Sequence, residues 1–459
     1  MSQSYVGINP ATGQVNNEYP HTTDAEISAA LETAVKGYKE WRAKSIKERG
    51  EILAKVADLF VERRRELGEI ATKEMGKPFG EARGEAAFSG EIIRYYVENA
   101  EELLADEVIK DDEDGKAVIQ KRPLGPLVGV MPWNYPYYQV ARFAGPNLML
   151  GNVVLLKHAE STPDSALAIQ KIMDDAGVPE GVYQNIFASH EQIASLIENP
   201  QVAGVSLTGS ERAGREVGAT AGKALKKSVL ELGGNDPYVI LSSEDPRQAA
   251  RDAIAIRFEN TGQACNSNKR LIIMEDIYDE FLDELIKETE KLQPHDPMEK
   301  GENVFGPLSS EKAADRLVEQ LEKAVSEGAT LRVGGTRLDR PGFYVQPAVL
   351  TDIPKDTTGY KEELFGPVLS VYKVSSDEEA LELANDTAYG LGSAVFAVEE
   401  GRAERFADGI EAGMVGVNGP TFEDVDMPFG GVKGSGFGRE LGKLGIDEFV
   451  NKRLMCFNK

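Results

Sequence analysis

Apolar positions recur at helical spacing early in the chain. Ile27, Ala30, Leu31, Ala34, Tyr38 and Trp41 fall on one face behind a Thr23-Asp24 start signal, which predicts an amphipathic helix. Ser45-Ile46-Lys47-Glu48 has the form of a capping box, and Ile52, Leu53, Val56, Leu59 and Phe60 carry a second helix. A third is expected from about Phe79 to Leu104. Two short strands, Val108-Ile109 and Ala117-Val118-Ile119, flank an acidic turn ending in Asp114-Gly115, a hairpin that should project from the body. From Leu127 the pattern changes to brief apolar runs separated by helical stretches. Strands are expected at 127–131, 153–156, 183–187, 204–207 and 228–230, with helices at 165–176 and 191–198. After Gly234 the alternation resumes, with strands near 238–241, 271–274, 348–350, 369–372, 394–397 and 413–417 and helices at 277–291 and 311–327. Such alternation predicts an α/β architecture around mainly parallel sheet. The tail from Glu448 to Phe457 is expected to be an edge strand that pairs with another subunit.

Composition narrows the function. The 459 residues carry 51 basic and 76 acidic side chains, a net charge of −25. That surface repels nucleic acid and anionic lipid, and it suits a salt-rich cytoplasm. Cys265 and Cys456 are the two cysteines, so there is no disulfide framework and a reducing, cytoplasmic compartment is expected. Neither a secretion signal nor an apolar run long enough to span a membrane is evident. The four histidines are scattered, and no metal-ligand spacing is present.

Chemistry centres on Asn260-Thr261-Gly262-Gln263-Ala264-Cys265 and, upstream, on Val229-Leu230-Glu231-Leu232-Gly233-Gly234. A thiolate and a carboxylate base suit covalent catalysis on a carbonyl. The competing reading is a buried small cysteine and a surface or capping glutamate.

Further pieces join these two. They are Pro132-Trp133-Asn134-Tyr135-Pro136, Lys157-His158-Ala159-Glu160-Ser161-Thr162-Pro163 and Leu207-Thr208-Gly209-Ser210, then Glu363-Leu364-Phe365-Gly366-Pro367 and Pro428-Phe429-Gly430-Gly431-Val432-Lys433. In order and spacing the set resembles the aldehyde dehydrogenase superfamily, most of all its prokaryotic succinate semialdehyde dehydrogenases.

The resemblance implies a Rossmann-like nucleotide-binding domain (1–105 and 126–233), an α/β catalytic domain (234–434) and a β oligomerisation arm (106–125 and 446–459). A homodimer or homotetramer would follow. It makes Cys265 the nucleophile, Glu231 the general base and Asn134 an oxyanion donor, where a turn residue is the alternative for Asn134. Trp133, Lys157, Glu160, Gly209, Ser210, Glu363 and Phe365 would hold the cofactor, with Gly209-Ser210 opening a helix toward the pyrophosphate. Glu160 would accept from a ribose 2′-OH and repel a 2′-phosphate, so NAD is preferred and NADP is the alternative. Arg142 would clamp a substrate carboxylate, against the reading of a solvent-facing arginine. Glu440 would relay protons or give structural support.

Departures complicate substrate choice. Glu259 stands where such enzymes often carry a second arginine, Phe143 replaces a common lysine, and Glu423, Asp424 and Asp426 lie in an expected tunnel loop. Succinate semialdehyde is the leading substrate, and a neutral or cationic aldehyde is the alternative. A non-catalytic relative and a cysteine hydrolase, with His158 or His190 as its base, are the rival classes.

Overall fold

The alternation of apolar strands and helices resolves into two largely parallel sheets, a three-stranded arm and an N-terminal hairpin, Ser4–Asn9 with Gln14–Pro20. The computed structural model describes residues 4–299, 305–421 and 424–458. In the first sheet the strands lie in the order Gly436–Phe437, Lys227–Glu231, Gly204–Thr208, Pro126–Val130, Val153–Lys157, Tyr183–Asn185. All pairs are parallel except the first, which is antiparallel. Val153–Lys157 and Gly204–Thr208 are buried at every residue, which is why they read as continuous apolar runs. The chain moves outward from Pro126–Val130, then returns to Gly204–Thr208 on its other side. The crevice at the carboxyl ends of those two strands is where such sheets bind ligands.

The second sheet runs Thr330–Val333, Ala348–Thr351, Val368–Val374, Asn268–Met274, Asp236–Ile240, Ala394–Phe396, Gly416–Val417, parallel apart from its first strand. The four residues Leu232–Asn235 carry the chain from one sheet to the other. The carboxyl edge of the first sheet therefore meets the amino edge of the second, with Glu231 closing one strand and Cys265 shortly preceding another.

The helix start expected at Thr23 and the capping box expected at Ser45 both form, and Thr23 carries a capping box as well. The third helix stops at Glu98, and Ala100–Leu103 is a separate turn. Helices Arg64–Met75, Tyr138–Leu150 and Pro246–Phe258 were not foreseen. Tyr138–Leu150 is buried at all but its first residue, so it shows no polar face, and Pro146 sits inside it. The tail is an edge strand, as expected. Val450–Asn458 pairs along its whole length with Gly115–Pro123 of its own chain, and Glu107–Asp112 completes that arm. Val108, Ile109, Leu454 and Phe457 are exposed on it.

Candidate active site

Helix Pro246–Phe258 ends in a tight turn, in which Asn260 (φ 48°), Thr261 (φ 58°) and Gly262 (φ 74°) are all left-handed. Each non-glycine residue there costs about 1–3 kcal/mol and persists only where the surroundings over-determine it. They do. Glu81 accepts the Asn260 N–H at 2.7 Å, Thr261 Oγ1 accepts from Gly306 N at 3.0 Å, and Arg257 donates to the Gly262 carbonyl at 2.9 Å. The turn delivers Cys265, which is half-buried. Burial pushes its thiol up to about 12, while the charges of Arg142 and Lys269 work the other way. His158 is buried, and its imidazole is held neutral, with a pKa lowered to about 3 by desolvation and then by Lys157.

Asn134 lies against this turn. Its Nδ2 donates to the Gln263 carbonyl at 3.0 Å, and Asn260 Nδ2 donates to the Asn134 carbonyl at 2.9 Å. An amide nitrogen carries two hydrogens, so Nδ2 has the capacity for a second acceptor. Glu231 is also buried, and among the described residues neither of its carboxylate oxygens has a hydrogen-bond partner. Desolvation raises its pKa well above the usual carboxylate range, with Arg142 opposing and Glu440 adding to the rise. Arg142 feels both Glu231 and Cys265, so the acid, the thiol and the guanidinium share one field.

Gly233 and Gly234 permit this convergence. A Cβ on Gly234 would stand 2.5 Å from the Cys265 carbonyl, and one on Gly233 would stand 2.5 Å from a Glu363 oxygen. Gly234→Ala is therefore expected to push the thiol-bearing loop away and lower kcat by about 10²-fold, the cost of a displacement near 1 Å. Steady-state turnover checks it; a parental kcat would show that the loop shifts freely.

Lys269 is a site residue that the pattern did not reveal. Its buried ammonium donates to the Ala264 carbonyl at 2.9 Å and the Cys265 carbonyl at 2.6 Å, and pairs with Glu363 at 3.1 Å. Lys269 lies in the polar Asn268-Lys269-Arg270 start of its strand, ahead of the apolar run, so the pattern carried no signal for its burial. Arg257 was missed too. It donates to the carbonyls of Gly262, Leu364, Gly366 and Val368 and to Ser267 Oγ, tying the Glu363–Phe365 segment to the cysteine loop.

The residues expected to hold a nicotinamide nucleotide line the same edge. Glu363 accepts the Gly234 N–H at 3.2 Å, and Phe365 meets Trp133 edge-on at 5.9 Å. Lys157 ends its strand and is buried, with one ammonium hydrogen going to the His158 carbonyl at 3.2 Å. Burial lowers its pKa, and the negative charge of Glu160 counters that. Gly209 N donates to the Glu231 carbonyl at 2.9 Å, and Ser210 caps helix Glu211–Lys223, whose free N–H groups suit a pyrophosphate. An acid, two cations, an aromatic pair and a helix start fit such a ligand.

Arg142 is not the solvent-facing arginine of the alternative reading. The expected carboxylate clamp is fully buried and already paired with Glu440; it also donates to Thr208 Oγ1 at 3.1 Å and lies over the rings of Phe429 and Tyr138. Desolvation is the largest influence and works against the guanidinium, but Glu440, Tyr138, Glu231 and Cys265 together outweigh it and hold the proton more tightly than usual. Glu440, the expected relay, is thereby occupied, with Ser206 Oγ donating to it at 3.2 Å. Breaking such a buried pair costs about 3–5 kcal/mol, so its charges are not free for a ligand without rearrangement. Glu259 is exposed and accepts from Tyr135 Oη at 3.1 Å, beside a cavity of about 850 Å³. Asp424 and Asp426 are exposed, and Glu423 lies outside the described residues. Phe143 packs on Phe449 in the core, which is why a lysine is not found there.

Comparison with known proteins agrees in extent. The family model described as "Aldehyde dehydrogenase family" matches residues 1–455. A succinate-semialdehyde dehydrogenase [NADP(+)] from Deinococcus radiodurans is 47% identical over 451 residues, 98% of this chain and 94% of that protein. The crystal structure of succinic semialdehyde dehydrogenase from Streptococcus pyogenes, in complex with NADP+, has a TM-score of 0.95 at 39% identity and covers 99% of this chain and 100% of its own. Lactaldehyde dehydrogenase from Escherichia coli has a TM-score of 0.95 at 33% identity, covering 100% and 96%.

Proposed function

The chain belongs to the aldehyde dehydrogenase family, and from that premise we propose that it oxidises succinate semialdehyde to succinate with NAD, through an adduct on Cys265. One arrangement carries the reading: Cys265, Glu231 and Asn134 converge across Gly233-Gly234 on the edge where Glu363 and Lys157 await a nucleotide. The Cys265 sulfur, once deprotonated, attacks the aldehyde carbon to give a thiohemiacetal. Asn134 Nδ2 and the Cys265 backbone N–H stabilise the oxyanion, each such donor being worth about 3–4 kcal/mol. The nicotinamide, when bound, supplies a hydride acceptor and a positive charge. Glu231 then takes a proton from water, and the resulting attack on the thioester frees the acid and the thiol.

The relatives' names support the substrate. A neutral aldehyde is the second reading, favoured by the pairing of Arg142 with Glu440 and by the likeness to lactaldehyde dehydrogenase. Comparing kcat/KM for succinate semialdehyde and a neutral aldehyde of similar length decides between them. A clear advantage for the anion supports the first reading, and parity supports the second.

Cofactor choice is where this chain parts from its relatives' names, which give NADP. Glu160 stands three residues after Lys157, where a 2′-phosphate would face a carboxylate, and like charges so placed cost several kcal/mol. NAD is therefore expected to exceed NADP in kcat/KM by about 10-fold or more, and Glu160→Ser to narrow the gap. A parent enzyme that prefers NADP overturns this. Cytoplasmic residence accords with the paired-down cysteine content, and no helix of the described residues is long and apolar enough to cross a membrane. The exposed Val108, Ile109, Leu454 and Phe457 on the arm support a homo-oligomer.

A further inference from the structure

The turn before the nucleophile is strained, and one of its supports comes from far away in the chain. We propose that Glu81 is a positioning residue: by accepting the Asn260 N–H, its carboxylate holds the left-handed turn 260–262 in the shape that sets Cys265 and Asn134 for reaction. The proposal rests on the roles given above to those two residues.

Glu81 is the third residue of helix Phe79–Glu98, and its hydrogen bond to Asn260 is 2.7 Å long. Asn260 in turn touches both sides of the site. Its Nδ2 donates to the Asn134 carbonyl at 2.9 Å and to the Gln263 carbonyl at 3.3 Å, the same carbonyl that receives Asn134 Nδ2. The second and third residues of the turn have their own ties, through Gly306 and Arg257. Asn260 is tied through its side chain and its carbonyl as well, and Glu81 is what takes its backbone N–H. Without it, Asn260 would relax from φ 48° toward the ordinary basin, and the loop carrying the sulfur would turn with it.

The surroundings of Glu81 add a pH dependence. Burial raises its carboxyl to about 7; Glu259 on the turn and Glu85 on its own helix push the same way, while the Asn260 N–H and Lys77 oppose them. Lys77 is itself paired with Glu85 at 2.5 Å and lies 3.5 Å over the Tyr135 ring, whose hydroxyl donates to Glu259. Arg83 and Glu299 complete the charged lining of the adjacent cavity. A hydrogen bond to a carboxylate is roughly twice as strong as one to its neutral form. The support therefore holds above about pH 7 and weakens below it.

Glu81→Ala and Glu81→Gln test the proposal, assayed with NAD and the best aldehyde substrate from pH 6 to 9. Glu81→Ala should lose about 10²-fold in kcat while KM for NAD stays within about 2-fold. Glu81→Gln keeps the shape and an acceptor oxygen, so at pH 8 it should recover to within about 3-fold of the parent. It should also show a higher ratio of kcat at pH 6 to kcat at pH 8, because it cannot titrate. A residue that merely balances Lys77 would leave both variants equally slow, and that result overturns the proposal. Parental kcat in Glu81→Ala, or a Glu81→Gln pH profile identical to the parent's, overturns it as well. If Glu81→Ala does not fold, the Glu81→Gln profile decides alone. A Cys265→Ala enzyme without turnover beside a fully active Glu81→Ala enzyme would reject the positioning role and leave the nucleophile standing.

Discussion

Cys265→Ala is expected to remove aldehyde-dependent NADH formation, lowering kcat by about 10⁴-fold or more, the scale seen when covalent enzymes lose their nucleophile. The sulfur is the one group in the site able to convert a trigonal aldehyde into an adduct from which hydride can leave. The substitution is otherwise mild. Cys265 is half-buried and its main-chain carbonyl, not its sulfur, anchors Lys269, so that contact survives in the variant. Binding of NAD, followed by titration of intrinsic fluorescence, should be nearly unchanged. Turnover above about a tenth of the parent's would exclude a thiol mechanism.

Glu231→Gln should separate the two halves of the reaction. The thiol can still form its adduct, but no base activates water, so a burst of NADH near one equivalent per subunit should precede a steady state slowed by about 10²–10⁴-fold. Absence of the burst together with a slow first turnover would assign Glu231 to the thiol's proton instead. The pH profile follows from burial. Desolvation raises the Glu231 pKa above the usual carboxylate range, and the parent's steady-state rate should climb as pH rises through that shifted value. The linkage has the opposite sign for stability. A carboxyl with a raised folded pKa favours the native state at low pH, and that contribution is lost as pH increases through the folded value. Glu231→Gln should therefore melt no lower than the parent at pH 8 and should lose less stability than the parent as pH rises, since other buried carboxyls such as Glu81 titrate in both. Thermal scans at pH 6 and pH 8 measure the difference.

Amphipathic elements were readable because one face of each meets solvent. Thr23 and Ser45 announced their helices through local hydrogen-bond chemistry, and the buried strands of both sheets stood out as apolar runs. Tyr138–Leu150 did not, since a helix buried all round loses the period on which such reading depends. The site divides along a similar line. Cys265, Glu231, Asn134 and Glu363 sit in local motifs, whereas the roles of Arg257, Lys269 and Glu81 depend on contacts between distant segments. Arg142 shows the same limit: its spacing from Asn134 is legible in the sequence, and its pairing with Glu440 is not.

The arm has a consequence for how a nascent chain becomes an enzyme. Strand Gly115–Pro123 leaves the ribosome early, yet Val450–Asn458, the partner that covers one of its edges, is among the last segments made. At roughly 5–20 residues per second the hairpin waits tens of seconds with that edge bare, open to the same hairpin on a neighbouring polysome. Its alternating lysines and aspartates, Lys110, Asp111, Asp112, Asp114 and Lys116, are well suited to keep such premature partners apart until translation supplies the correct one.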